Sequence, residues 1–214
     1  MNYASIRTCD IANGEGVRVS LFVSGCTHRC PGCFNKEAQA FDYGLPFTRA
    51  IEDAILAALA PTQIAGLSLL GGEPMEPSNQ RALVPFLRRF RARYGDAKTL
   101  WVYTGCVYEE LEGGKVGRWE SGKVGKWEGG KAGKWEGGKA GKWEGGKMRG
   151  RSGKVDGAEV KGSRWRTEVT DEFLSLTDVL VDGPYIEALK DISLPFRGSS
   201  NQRILDLRKA RADG

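Results

Sequence analysis

Val19-Ser-Leu-Phe-Val-Ser-Gly-Cys-Thr-His-Arg-Cys-Pro-Gly-Cys33 joins a short apolar run to a loop carrying three cysteines in eight residues. Val19–Val23 is β-branched and aromatic, and reads as a buried strand. Ser24-Gly25 ends it, and Cys26, Cys30 and Cys33 follow in C-x3-C-x2-C spacing. Working outward, Leu67–Leu70 predicts a second strand that closes on Gly71-Gly72, Leu100–Tyr103 a third that closes on Thr104-Gly105, and Val179–Val181 a fourth. Helical spacing fills the gaps. Thr48 can cap a helix with Ile51, Ile55, Leu56 and Leu59 on one face, stopped by Pro61. Asn79–Tyr94 repeats Leu83, Phe86, Leu87 and Phe90 at the same period, and Asp171–Leu176 is a short third helix. Strands alternating with helices imply βαβ units and a parallel sheet, an α/β fold. Chemistry in such folds collects at the carboxyl ends of the strands, where the glycine turns and the cysteines lie.

Three thiolates on one loop can hold three irons of a cubane cluster, whereas a fully ligated [4Fe–4S] cluster uses four cysteines. The remaining iron then keeps an open position at which a substrate or cofactor can bind. Structural zinc is the competing reading, with His28, Cys9 or Cys106 as the fourth ligand. Five cysteines, an odd number with three crowded together, make a poor disulfide framework and suit metal or redox use in a reducing compartment. The N-terminus has no apolar secretory core and no run is apolar for about 18 residues, so a cytoplasmic protein without a membrane span is expected.

The net charge of +5 is unevenly placed. Residues 113–166 alone carry +9, so the other 160 residues sum to −4. The same segment holds four octapeptides, KVGRWESG, KVGKWEGG, KAGKWEGG and KAGKWEGG, over 115–146. Two or three glycines to one tryptophan per unit give too little apolar area to offset backbone ordering. The segment therefore reads as a flexible insertion. A Lys/Trp surface for nucleic-acid bases and short Gly–Gly hairpins are the alternatives. The expected organisation is residues 1–112 and 167–214 as one core, interrupted by 113–166. Closing a loop of about sixty rather than six residues costs only about 2 kcal/mol. The basic pI thus belongs to the insertion, and nucleic acid is not expected as a partner of the core.

The C-x3-C-x2-C loop resembles that of the radical S-adenosylmethionine (SAM) superfamily, and Gly71-Gly72-Glu73-Pro74 resembles its second motif. Read alone, that turn offers bare backbone carbonyls and, in Glu73, an acceptor for an ammonium group; a plain tight turn is the other reading. Asn13–Arg18, Leu21–Cys26, Cys30–Asn35, Trp101–Gly105, Val179–Gly183 and Arg197–Gln202 resemble the family of anaerobic ribonucleoside-triphosphate reductase activating proteins. The resemblance implies a compact, incomplete (βα) barrel of the radical SAM type with mainly parallel strands. It implies a [4Fe–4S] cluster on Cys26, Cys30 and Cys33, with SAM contacted by Gly32, Cys33, Phe34, Gly71, Gly72 and Glu73. It implies a glycyl-radical-enzyme activating oxidoreductase whose partner is the large subunit of the anaerobic (class III) reductase. A flavodoxin- or ferredoxin-like donor would supply the electron. An activase for another glycyl radical enzyme, of the pyruvate formate-lyase type, and a zinc-binding nucleic-acid module are the alternatives. The chain departs from the family at Glu15, Phe34 and Glu73, where proline, tyrosine and aspartate are usual, and in the octapeptide insertion. Arg18 can serve as a salt-bridge partner or a contact to the SAM carboxylate or the partner protein. Asp182 can form a turn or line the barrel mouth. Arg197–Gln202 can face the reductase, and Cys9 and Cys106 are expected to be free thiols, Cys106 near the site.

Overall fold

The computed structural model describes residues 1–112, 123–125, 137–139 and 163–208. The chain divides into two units, Met1–Gly114 with Ser163–Gly214, and Lys115–Gly162. In chain order the first unit begins with β1 (Asn2–Asp10), β2 (Val17–Val23), β3 (Leu45–Pro46), α1 (Arg49–Ala58) and β4 (Ile64–Gly71). It continues with α2 (Pro77–Tyr94), β5 (Thr99–Tyr103) and α3 (Tyr108–Glu112). Within the second unit, β6 (Lys123–Gly125) pairs antiparallel with β7 (Gly137–Lys139), a short hairpin-like pairing in the repeat. The four repeat tryptophans, and with them the expectation of a flexible insertion, lie outside the described residues. The first unit resumes with α4 (Thr170–Leu176), β8 (Val179–Asp182) and β9 (Arg203–Asp206).

Seven strands form one sheet in the order β3-β1-β2-β4-β5-β8-β9. The central β2, β4, β5 and β8 are parallel, while β1, β3 and β9 attach antiparallel at the flanks. The parallel strands follow one another in chain order without reversal. Helices α1, α2 and α4 from the connections pack on one face of the sheet, giving a mixed α/β fold with a mostly parallel sheet. The sheet stays open, with β3 and β9 as its edges. The alternation of the strands bears this out. Val19, Leu21, Val23, Leu67, Leu69, Leu100, Val102 and Leu180 pack with Ile55, Leu59, Leu83, Phe86, Phe90 and Phe173 from the helices. On the opposite face Trp101, Val179 and Val181 pack with Tyr103 and Phe196. No helix among the described residues is long and apolar enough to cross a membrane.

The amino ends of the parallel strands are tied by Arg18, which is fully buried. Among the described residues no carboxylate is in hydrogen-bond contact with it, contrary to the salt-bridge reading, and its burial leaves it no exposed surface for a ligand or partner. All five N–H groups donate instead within the fold. Nε donates to Ser68 Oγ, Nη1 to Thr99 Oγ1 and the Glu15 carbonyl, and Nη2 to the carbonyls of Leu67 and Thr99. The guanidinium also lies over the Trp101 ring, 5.5 Å from its centroid. Burial lowers its pKa to about 10, so it stays charged at neutral pH. Arg18→Met keeps the bulk but leaves carbonyls of β4 and β5 without their donors. It should lower stability by roughly 2–4 kcal/mol, read as a shift in the urea midpoint.

Candidate iron–sulfur centre

The carboxyl ends of β2, β4, β5 and β8 lead into the cysteine loop, the Gly72-Glu73-Pro74 turn, Thr104-Gly105-Cys106 and Gly183-Pro184-Tyr185. Backbone bonds lock the first two of these together. Gly72 N–H donates to the Val23 carbonyl at 2.7 Å and Glu73 N–H to the Gly25 carbonyl at 2.8 Å, while Cys26 N–H reaches the Gln39 carbonyl at 3.1 Å. The approach is so close that a Cβ on Gly72 would sit 2.6 Å from the Gly25 oxygen, which explains the second glycine of the motif.

Cys26, Cys30 and Cys33 are free, half-buried thiols on this one loop. Burial and then the nearby Glu73 push the Cys26 thiol up to about 12, against the amides of His28 and Arg29, which favour its thiolate. Burial likewise raises Cys30, opposed by the Tyr185 amide. Sulfurs taken partly out of water and faced by backbone N–H groups suit an iron–sulfur cluster, whose irons replace the proton and whose sulfurs accept such bonds. The other two thiols belong to other segments: Cys9 is exposed on β1, and Cys106, after β5, is buried 3.6 Å from His28 Nε2. The donor set on the loop is therefore three thiolates, and it fits a cluster.

The residues expected around SAM divide into two groups. Gly32 and Phe34 line a groove of about 300 Å³ with Tyr185, Lys190, Ile192 and Arg197, and the Phe34 ring is 82% exposed. Gly71 and Gly72 lie at the β4 turn, beside the loop. Glu73 is different, because its carboxylate points inward and is 1% exposed. Oε1 accepts Met75 N–H at 2.8 Å, and Oε2 accepts Gly105 N–H at 2.8 Å and lies 3.0 Å from His28 Nε2. Three protein groups thus face this carboxylate, beside the turn where the sequence leads one to expect a ligand's ammonium group. Asp182 is also inward and fully buried, paired with Arg203, which bridges to Glu109. Arg197–Gln202 is a self-bonded loop, in which Gln202 Oε1 accepts the amides of Gly198 and Ser199 and Asn201 donates to the Pro184 carbonyl.

Sequence reading missed Glu76, whose Oε1 accepts Thr27 N–H at 2.6 Å, and Tyr185. It also assigned Trp165 to the insertion. The structure puts Ser163–Arg166 in the first unit, with Trp165 4% exposed and stacked on His28 at 4.4 Å. The signal was present: Trp165 falls outside the period of eight that spaces Trp119, Trp127, Trp135 and Trp143.

Three free thiols on one strand-end loop of a mostly parallel sheet suit a single-cluster iron–sulfur protein. Residues 12–120 and 147–205 match the model of the 4Fe-4S single cluster domain, which this chain carries. Relatives narrow the class. The anaerobic ribonucleoside-triphosphate reductase-activating protein of Escherichia coli K12 is 33% identical over 210 residues, covering 97% of this chain and all of the relative. The protein of the same name from Pasteurella multocida is 34% identical over 206 residues, 95% of this chain and 96% of its own length. That of Enterobacteria phage T4 is 37% identical over 112 residues, 52% of this chain and 71% of its own. The chain belongs to the family of anaerobic ribonucleoside-triphosphate reductase-activating proteins.

Because burial keeps Cys26 protonated well above neutral pH, iodoacetamide at pH 8 should alkylate it more slowly than exposed Cys9 in the metal-free chain. Peptide mass mapping over time reads the order directly.

Proposed function

We propose that this chain activates an anaerobic ribonucleoside-triphosphate reductase by generating a glycyl radical on the reductase's large subunit. Cys26, Cys30 and Cys33 would hold the [4Fe–4S] cluster, and a flavodoxin- or ferredoxin-like protein would reduce it. Bound together, the cluster and SAM would supply the one-electron chemistry by which a hydrogen atom is taken from the target glycine. The observation that carries this reading is the trio of half-buried loop thiols with no fourth cysteine among them. Three protein ligands leave one iron open to a chelating cofactor.

The chain's own residues prepare that corner. The Gly71-Gly72 turn packs side-chain-free backbone against Val23 and Gly25, which seats it tightly against the start of the cysteine loop. Glu73 and Glu76, both buried, take up loop amides and fix the turn against the cysteines. Phe34, directly after Cys33, presents an apolar ring at the groove, suited to the flat face of a purine.

Anaerobic reconstitution tests this proposal. The chain should take up four irons, cleave SAM under strong reductant, and yield a glycyl-radical signal when the reductase is added. Cys30→Ser should abolish SAM cleavage. One bound zinc with no SAM turnover would defeat the reading. Joining Glu112 to Ser163 through a short Gly-Ser linker should leave cleavage within about twofold of the full chain, since Arg166 Nη1 already reaches the Leu111 carbonyl at 2.6 Å. Extending the deletion through Arg166 should lower it sharply, because Trp165 is then lost.

A further inference from the structure

The two halves of the cysteine loop are held differently. Cys30–Phe34 carries one internal backbone bond, Cys33 N–H to the Cys30 carbonyl at 3.2 Å, and an exposed ring. Cys26–His28 is held from three other segments. Gln39 and Glu76 fix the amides of Cys26 and Thr27, and the His28 side chain supplies the third hold. Its Nε2 lies 3.0 Å from Glu73 Oε2, and its ring stacks on Trp165 with 19° between the planes. Trp165 is itself pinned, its carbonyl accepting Gln80 Nε2 at 2.7 Å and its other contacts including the Arg164 guanidinium 4.3 Å from the ring centroid. There is no slack around the imidazole, for a Cβ on Gly105 would come within 2.8 Å of it.

Facing a carboxylate, Nε2 carries the imidazole N–H. His28 and Arg29 form the stretch of loop between Cys26-Thr27 and Cys30. Fixing the His28 side chain therefore fixes the backbone between the first two cysteines. Hydrogen bonds to cluster sulfurs are one of the protein's controls on a cluster's potential and electronic state.

We propose that His28 is the positioning residue of the cluster loop, and that its Nε2–H bond to Glu73 holds the backbone between Cys26 and Cys30 in place. The proposal rests on the reading that Cys26 ligates the cluster. The same three groups, His28, Glu73 and Cys106, come close enough to one another to ligate a single metal ion. The hydrogen-bonded arrangement is favoured because Glu73 already serves two backbone amides and because burial holds Cys106 strongly toward the neutral thiol.

His28→Gln and His28→Phe separate the hydrogen bond from the stack. Glutamine keeps an N–H for Glu73 and loses the ring; phenylalanine keeps the ring on Trp165 and loses the donor. Each is made in the full chain, reconstituted anaerobically, and compared with the parent by iron content, the EPR line shape of the reduced cluster and its midpoint potential. His28→Gln should match the parent. His28→Phe should show a changed line shape and a more negative potential, with the fraction reduced at a fixed poise down by roughly threefold or more. Loss of iron from His28→Phe alone, with the metal-free chain still folded by circular dichroism, supports the same conclusion. A parent-like His28→Phe, or two variants altered equally, would reduce His28 to packing and overturn the proposal. So would one zinc per chain that disappears in Cys106→Ala. A parent chain without four irons removes the underlying reading instead, which iron analysis of the parent alone reveals.

Discussion

Glu73 is a carboxylate buried where three strand ends converge, and the site is organised around it. Taking a carboxylate out of water costs several kcal/mol unless its oxygens find donors. Here the donors come from the turn it sits in (Met75), from the end of β5 (Gly105) and from the cysteine loop (His28). Each of those segments is thereby tied to the others through one group. Loops of this kind are otherwise free to move, since few apolar contacts hold them. A centre that must keep three sulfurs in register with a metal cluster cannot tolerate that freedom.

The opposite end of the same strands is closed by another buried polar group, Arg18, through carbonyl and hydroxyl acceptors. Buried cations usually pair with an acid. Arg18 does without one because its planar fork reaches β4, β5 and the Glu15 carbonyl at once, leaving no donor unused. The parallel strands are thus fixed in register at both ends by polar clamps, with an aliphatic middle of Leu21, Leu69 and Val102 between. The clamp at the amino end serves stability. The clamp at the carboxyl end serves the centre, consistent with the general division of labour along parallel strands.

The octapeptide segment leaves the first unit after α3 and returns before α4, between two stretches that the fold itself joins through Arg166 and the Leu111 carbonyl. A long excursion between fixed points costs little closure entropy. The family membership shown by full-length relatives is therefore compatible with an inserted repeat of 32 residues.

The strands β2, β4, β5 and β8, the helices between them and the cysteine loop were legible in the sequence because each is a local pattern: apolar runs, a 3.6-residue period, a fixed cysteine spacing. β1 and β9 were not, since Asn2–Asp10 and Arg203–Asp206 are partly exposed flanking strands whose mixed polarity imitates a loop. The side chains that organise the centre were hidden for a different reason. Glu73, His28, Glu76 and Trp165 lie up to 137 residues apart along the chain, and nothing in their spacing says that a carboxylate read as a ligand contact turns inward to an imidazole. By itself the sequence determined which atoms could hold the iron and at which edge of the sheet. Only the tertiary structure decided which polar groups hold that edge together, because hydrogen bonds between distant segments exist only once the strands have brought their ends to one place.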